Sequence, residues 1–280
     1  MKTTLAIPAL CILMASLAAC GGGGDSASSA PVATTPPVTT PPVTTTPPVT
    51  ATPPVTTTPT IASAEGAYIG TLSNGREHDT VVLENDQFYT IYGHTVSAGF
   101  AVEGFLQGTG KSNNGSFGAT DVVDSTTTTI LTAATVTATY SPGVNLNGNL
   151  VEGGTSTSFT SAPISSAVFN YSAAPSLANI TGTWQLTALR GSSNTFTITS
   201  TGAFTAVSGS CSFGGTFAPR ASGKNVFDVS MTFGGAPCTL AGQSIKGIAI
   251  SYLLTNGQRQ LIVAGLDTGR TNSAAFFGVR

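Results

Sequence analysis

The sequence predicts an all-β protein: two tandem antiparallel β units of about eight strands each, built as small barrels, behind a disordered Pro/Thr stalk. Three observations predict it. From Glu65 onward no stretch carries helical periodicity, and short runs rich in Val, Thr, Ile, Phe and Tyr alternate with Gly, Asn and Asp. Gly is abundant, at 33 of 280 residues, and only 8% of residues are charged, a composition for many short strands and tight turns. The third observation is an internal echo. Displaced by 116 residues, Gly66 falls on Gly182, Thr71 on Thr187, Gly75 on Gly191, Phe88 on Phe204 and Gly93 on Gly209, with Tyr68 on Trp184. The matches cluster at turns and at an aromatic that opens a strand, the mark of a duplicated unit.

Taken from the start, Lys2 supplies a positive n-region and Leu5 to Leu17 an apolar run too short to span a bilayer comfortably. The run ends in Leu17-Ala18-Ala19-Cys20, followed by Gly21 to Gly24. These residues resemble the lipobox of bacterial lipoproteins. The resemblance implies export, removal of residues 1–19 as a signal peptide, and thioether lipidation of Cys20 as the new N-terminus. An Asp after the lipidated Cys commonly retains such proteins at the inner membrane. Gly21 there implies the outer membrane, with the protein probing the surface from a lipid anchor. Residues 20–64 form the linker. Its first part is Gly, Ser and Ala, a flexible leash, and residues 31–60 repeat Pro-Pro-Val with Thr. Proline fixes φ, removes donors and favours polyproline II, so such a stretch reaches on the order of 90 Å as a semi-rigid stalk.

Without signal and low-complexity stretch, about 215 residues remain, enough for one large or two small domains. The echo divides them into β units at 65–171 and 180–280, joined near Ala173-Ala174-Pro175. Thr80 to Leu83, a Glu84-Asn85-Asp86 turn and Gln87 to Tyr92 read as a hairpin, as do Asn194 to Ile198, a Ser200-Thr201-Gly202 turn and Ala203 to Val207. Ser166-Ala167-Val168-Phe169 and Ser273-Ala274-Ala275-Phe276 read as matching ends of the two units. Barrel closure removes exposed strand edges, which so few charges would guard poorly. Gly182-Thr183-Trp184 resembles the Gly-x-Trp of lipocalin-like barrels, in which the Trp closes the barrel floor. Two barrels behind a lipid anchor also resemble, in architecture, the lobes of transferrin-binding and factor-H-binding surface lipoproteins. That resemblance implies a macromolecular partner and assigns no site residues.

Of four cysteines, Cys11 leaves with the signal and Cys20 takes the lipid. Cys211 and Cys238 remain, and an exported protein meets an oxidising compartment, so they are expected to form a disulfide. A metal or redox site lacks nearby His or CxxC spacing.

The net charge of −2 hides an asymmetry. Residues 65–171 carry nine acidic side chains against Arg76 and Lys111, whereas residues 180–280 carry Asp228 and Asp267 against Arg190, Arg220, Lys224, Lys246, Arg259, Arg270 and Arg280. Two readings stand. The units dock through opposite charge, or Arg190, Arg220, Lys224, Lys246, Arg259 and Arg270 face an anionic partner such as lipopolysaccharide phosphate, an acidic polysaccharide or another host or envelope macromolecule. Dispersed basic residues and no recognition fold argue against nucleic acid.

Candidate chemistry is sparse. Arg76-Glu77-His78-Asp79 is the densest polar cluster, a hydrolase site or a solvated hairpin loop; His78 and His94 would need a third ligand to bind zinc. Asp121 and Asp124 are candidates for a calcium loop or a solvated turn. No HExxH, GxSxG, P-loop or EF-hand pattern is present, so no cofactor and no enzyme is expected. Phe88, Tyr89, Tyr92, Phe100 and Phe105 are candidates for a ligand pocket or for ordinary core. The function expected is a non-catalytic binding or adhesion module, with a lipocalin-like carrier of a small apolar ligand as the alternative.

Overall fold

Alternation of apolar and polar residues runs through most strands, and it folds each half of the chain into a ring. The structure, a computed structural model, describes residues 62–96, 99–128 and 131–280. The signal segment, Cys20 and the Pro/Thr stretch lie outside the described residues. The first half contains β1 (Gly66–Leu72), β2 (Glu77–Val82), β3 (Gln87–Val96), β4 (Gly99–Thr109), β5 (Lys111–Asn113), β6 (Ser116–Thr126), β7 (Thr132–Ser141), β8 (Asn145–Glu152) and β9 (Thr155–Pro163). Every pairing is antiparallel, β1 pairs with both β2 and β9, and the β4–β6 pairing closes an eight-strand ring to which β5 is appended. The second half contains β10 (Gly182–Ala188), β11 (Ser193–Ile198), β12 (Ala203–Ser208), β13 (Cys211–Pro219), β14 (Phe227–Phe233), β15 (Ser244–Leu253), β16 (Arg259–Asp267) and β17 (Ser273–Val279). It closes into a barrel through β10 and β17.

The echo at 116 residues is physical. β1 and β2 map residue for residue onto β10 and β11, and the turns map too: Gly75 and Gly191 both have φ near +85° to +88°, and Asp86 and Gly202 are both left-handed. Tyr68 donates its hydroxyl to the Ala64 carbonyl at 2.9 Å, and Trp184 donates its indole N–H to the Ile180 carbonyl at 2.7 Å, the same four-residue step in each barrel. The end match is corrected. Ser273 to Phe276 lie in β17, but Ser166 to Phe169 lie beyond β9 in the connector. Their resemblance comes from shared buried Phe residues, not from equivalent strands.

Both interiors are mainly apolar, the first also holding His78, Thr80, Thr90 and Asp124, and the exposed outer faces are polar. Along β11, Asn194, Phe196 and Ile198 point in while Ser193, Thr195 and Thr197 point out. A membrane-spanning barrel needs an apolar outer band, so these outer faces suit water. One outer face differs. Leu261 to Leu266 of β16 are all buried, because the strand is covered on both sides. Val81, Tyr89, Ile91 and Phe105 on the outside of the first barrel form one apolar cluster with Ile248, Ile262, Ala264, Leu266 and Ala275 on the outside of the second. Phe169 and Tyr171 from the connector complete it. The two barrels therefore meet through an apolar sheet-on-sheet contact.

Candidate functional site

The six basic candidates divide by where their strands and turns face. Arg220, just after β13, lies 2.9 Å from Glu84 and 2.5 Å from Asp228. Burial raises the Glu84 carboxyl, but the Arg220 hydrogen bond and charge outweigh it and hold it below its ordinary pKa. Lys224 pairs with Glu65 at 3.0 Å and lies 5.4 Å from the centre of the Tyr171 ring. Arg270, in the β16–β17 turn with φ 55°, donates to the side chain and carbonyl of Gln107 and to the Asp121 carbonyl. These three cations thus face groups of the acidic first half. Lys246 is exposed, Arg259 is half-buried, and Arg190 is exposed at the end of the second barrel. The cations engaged with the first half surround an apolar contact rather than forming it.

The histidines do not meet. Glu77 to Asp79 open strand β2 rather than a solvated loop, and His78 points into the first barrel at 4% exposure. Its Nδ1 is 3.1 Å from Thr80 Oγ1, which is 2.8 Å from Thr90 Oγ1, and its ring stands edge-on to Phe159. Burial pushes its pKa down to about 4, so it is neutral at pH 7. His94 lies outside, with Nδ1 2.7 Å from Glu103, which also pairs with Arg76 at 2.6 Å. Among the described residues no group of three His, Cys, Asp or Glu could hold a metal ion. His78 does lie beside a hydroxyl, as a hydrolase would need, but the void there is only about 40 Å³. That admits a few waters and no substrate.

Asp121 and Asp124 belong to β6, not to a calcium loop or a solvated turn. Asp121 accepts the Thr109 N–H at 2.8 Å. Asp124 is buried, with the Tyr92 hydroxyl donating at 2.8 Å to its carboxylate. Burial, with Glu152 nearby, pushes Asp124 up to about 6 despite the Tyr92 hydrogen bond. The aromatic set splits by strand alternation. Phe88 and Tyr92 fill the first barrel, whereas Tyr89, Phe100 and Phe105 face the contact between barrels.

Two observations define where a ligand has room. The first barrel is filled, which removes a carrier cavity inside it. The second is filled at one end and open at the other. At the closed end Trp184 is buried, capped by the Arg280 guanidinium 4.3 Å from its ring centre, as a barrel-floor Trp should be. At the open end a cup of about 400 Å³ has a floor of Phe213, Phe233 and Phe276. Phe213 stacks on Phe233 at 4.7 Å and on Phe276 at 5.6 Å. Ser192, Asn194, Ser208 and Ser210 give the wall hydroxyl and amide groups, and Arg190 stands at the rim. The expected disulfide is present: Cys211 and Cys238 are bonded, with Cα atoms 4.6 Å apart. It ties the β14–β15 loop to the cup wall. The cup was missed in the sequence because its parts come from five separated segments; only the Cys spacing hinted at a stapled loop.

No protein family matches this chain, and no curated protein matches it. Among solved structures it is similar to the isotype 1 transferrin-binding protein B of serogroup B Neisseria meningitidis, at 7% identity and a TM-score of 0.24, covering 74% of this chain and 66% of that one. A likeness of that size transfers neither ligand nor partner.

Proposed function

We propose that this chain is a lipid-anchored binding module of the outer-membrane surface, non-catalytic, whose cup receives a projecting group of an acidic polysaccharide. The observation that carries this reading is the cup itself. Its volume of about 400 Å³ lies within the ordinary range for ligand sites. Phenyl faces beneath hydroxyl and amide groups suit a sugar ring, which presents C–H on one face and hydroxyls around its edge. Arg190 at the rim would pair with a carboxylate or sulfate. Lipidation of Cys20 and the stalk at 31–60 would hold this face clear of the bilayer, and no step of bond making is assigned to any residue.

The test is saturable binding of the full chain to immobilised acidic polysaccharides, compared with neutral ones. Ser210 is exposed at the rim, so Ser210→Trp should obstruct the cup without disturbing the fold, and Arg190→Ala should weaken acidic ligands selectively. Binding that ignores both substitutions, or none to any acidic polysaccharide, would reject the reading. Labelled palmitate should enter the wild-type chain and not Cys20→Ser.

A further inference from the structure

A second cavity lies away from the cup, between the two barrels, and its lining is unusual in one respect. It holds about 160 Å³. One wall is a row across the outer face of the first barrel: Ile69 pairs with Asp79, Asp79 with Ile91, and Ile91 with Phe105. The opposite wall is the β15–β16 hairpin, with Ile250 paired to Ile262 and Tyr252 beyond. The connector supplies the third wall through Ile164, Val168 and Phe169, and Phe169 meets Tyr252 edge-on at 6.2 Å. Ile69 and Val168 are 50% and 49% exposed, which marks the mouth.

Asp79 is the single carboxylate in this apolar lining. Among the described residues no Lys, Arg or His lines the cavity, and the Asp79 carboxylate accepts no hydrogen bond. The titratable groups around it are Glu77, two residues earlier on the same strand face, and the Tyr252 hydroxyl; the Tyr89 ring lines the cavity, but its hydroxyl lies toward Arg220, Asp228 and Arg270. Burial first, and then Glu77, pushes Asp79 up to about 6. At neutral pH it is therefore still largely ionised, a negative charge half-enclosed by isoleucine and aromatic rings without a counter-ion. Such a group is costly unless it is paired.

We propose that this cavity is a binding site for a small organic amine with a benzene-sized apolar body, its ammonium paired with Asp79. The volume fits, since an apolar cavity of about 150 Å³ accommodates benzene. The sign fits, because the only charged side chain lining the cavity is an acid. Tyr89, Tyr252, Phe105 and Phe169 would surround the apolar body and offer ring faces to the cation. The site does not share a lining residue with the cup, so either can fail alone.

Calorimetric titration of the full chain with benzylamine tests the proposal, with benzoate and toluene as probes of the same size. Benzylamine should bind saturably, at least tenfold more tightly than toluene, and benzoate should not bind. Asp79→Asn should remove that preference for the amine. Ile69→Lys provides a second variant: position 69 is exposed and directly opposite Asp79, so the new ammonium should occupy the carboxylate and abolish benzylamine binding while circular dichroism stays unchanged. No saturable benzylamine binding would overturn the proposal. So would benzylamine affinity unchanged in Asp79→Asn, or benzoate binding as well as benzylamine.

Discussion

At the scale of single residues, burial holds His78, Asp79 and Asp124 out of their ordinary ranges, and Asp79 has the plainest consequence. Its folded pKa, about 6, lies above the value of about 4 expected in the unfolded chain. Between those values the folded state holds more protons than the unfolded one, so stability falls as pH rises through that window. Once ionised, the group costs on the order of 2 kcal/mol, allowing for partial solvation. Asp79→Asn should therefore be more stable than wild type at pH 7.5 and equal to it near pH 3.5. Urea melts at both pH values check this; a difference that persists unchanged at low pH would mean that packing, not charge, is responsible. The same residue was visible in the sequence only as part of a polar cluster with His78. Strand alternation then sent His78 inward and Asp79 outward, and no local pattern says that the outward side meets a second barrel.

At the scale of elements, the disulfide is the one covalent device among the described residues. It spans 27 residues and joins the start of β13 to the β14–β15 loop. Closing a loop of that length stabilises by about 3–4 kcal/mol in the chain-entropy model. Replacing both Cys211 and Cys238 with Ser should lower unfolding stability by about 3 kcal/mol and weaken whatever the cup binds, since Cys211 lines it. A loss below about 1 kcal/mol would show that the loop holds its place without the bond. The hairpins tell a complementary story. β2–β3 and β11–β12 were legible from turn chemistry, because Asp86 and Gly202 occupy positions where left-handed backbone is needed. The ring closures had no such signal: β4–β6 passes over the intervening β5, and β10–β17 joins the two ends of the second half.

At the scale of the whole molecule, the issue is what holds the barrels together. Opposite net charges imply attraction, and Arg220–Glu84 and Lys224–Glu65 realise it. These two pairs are half-buried, contribute on the order of 1 kcal/mol each and weaken only in part with salt. The apolar cluster between them does not depend on salt. The scattering radius should thus stay constant from about 0.05 M to 1 M salt. Ile248→Asp should enlarge it instead, because Ile248 points away from its own barrel core into the contact. Expansion by salt alone, with Ile248→Asp silent, would reverse the assignment.

The sequence by itself determined the all-β class, the duplication and the disulfide partners. All of these follow from local rules: alternation, turn residues and the scarcity of cysteine. Only the tertiary structure decided which outer faces are covered, and with that which cations are engaged, which aromatics line a cavity and which carboxylate is left facing one. Those outcomes depend on pairings between residues more than a hundred positions apart, such as Ser125 with Ser273 and Glu84 with Arg220. A strand's period of two says which residues share a face, but not what that face will touch.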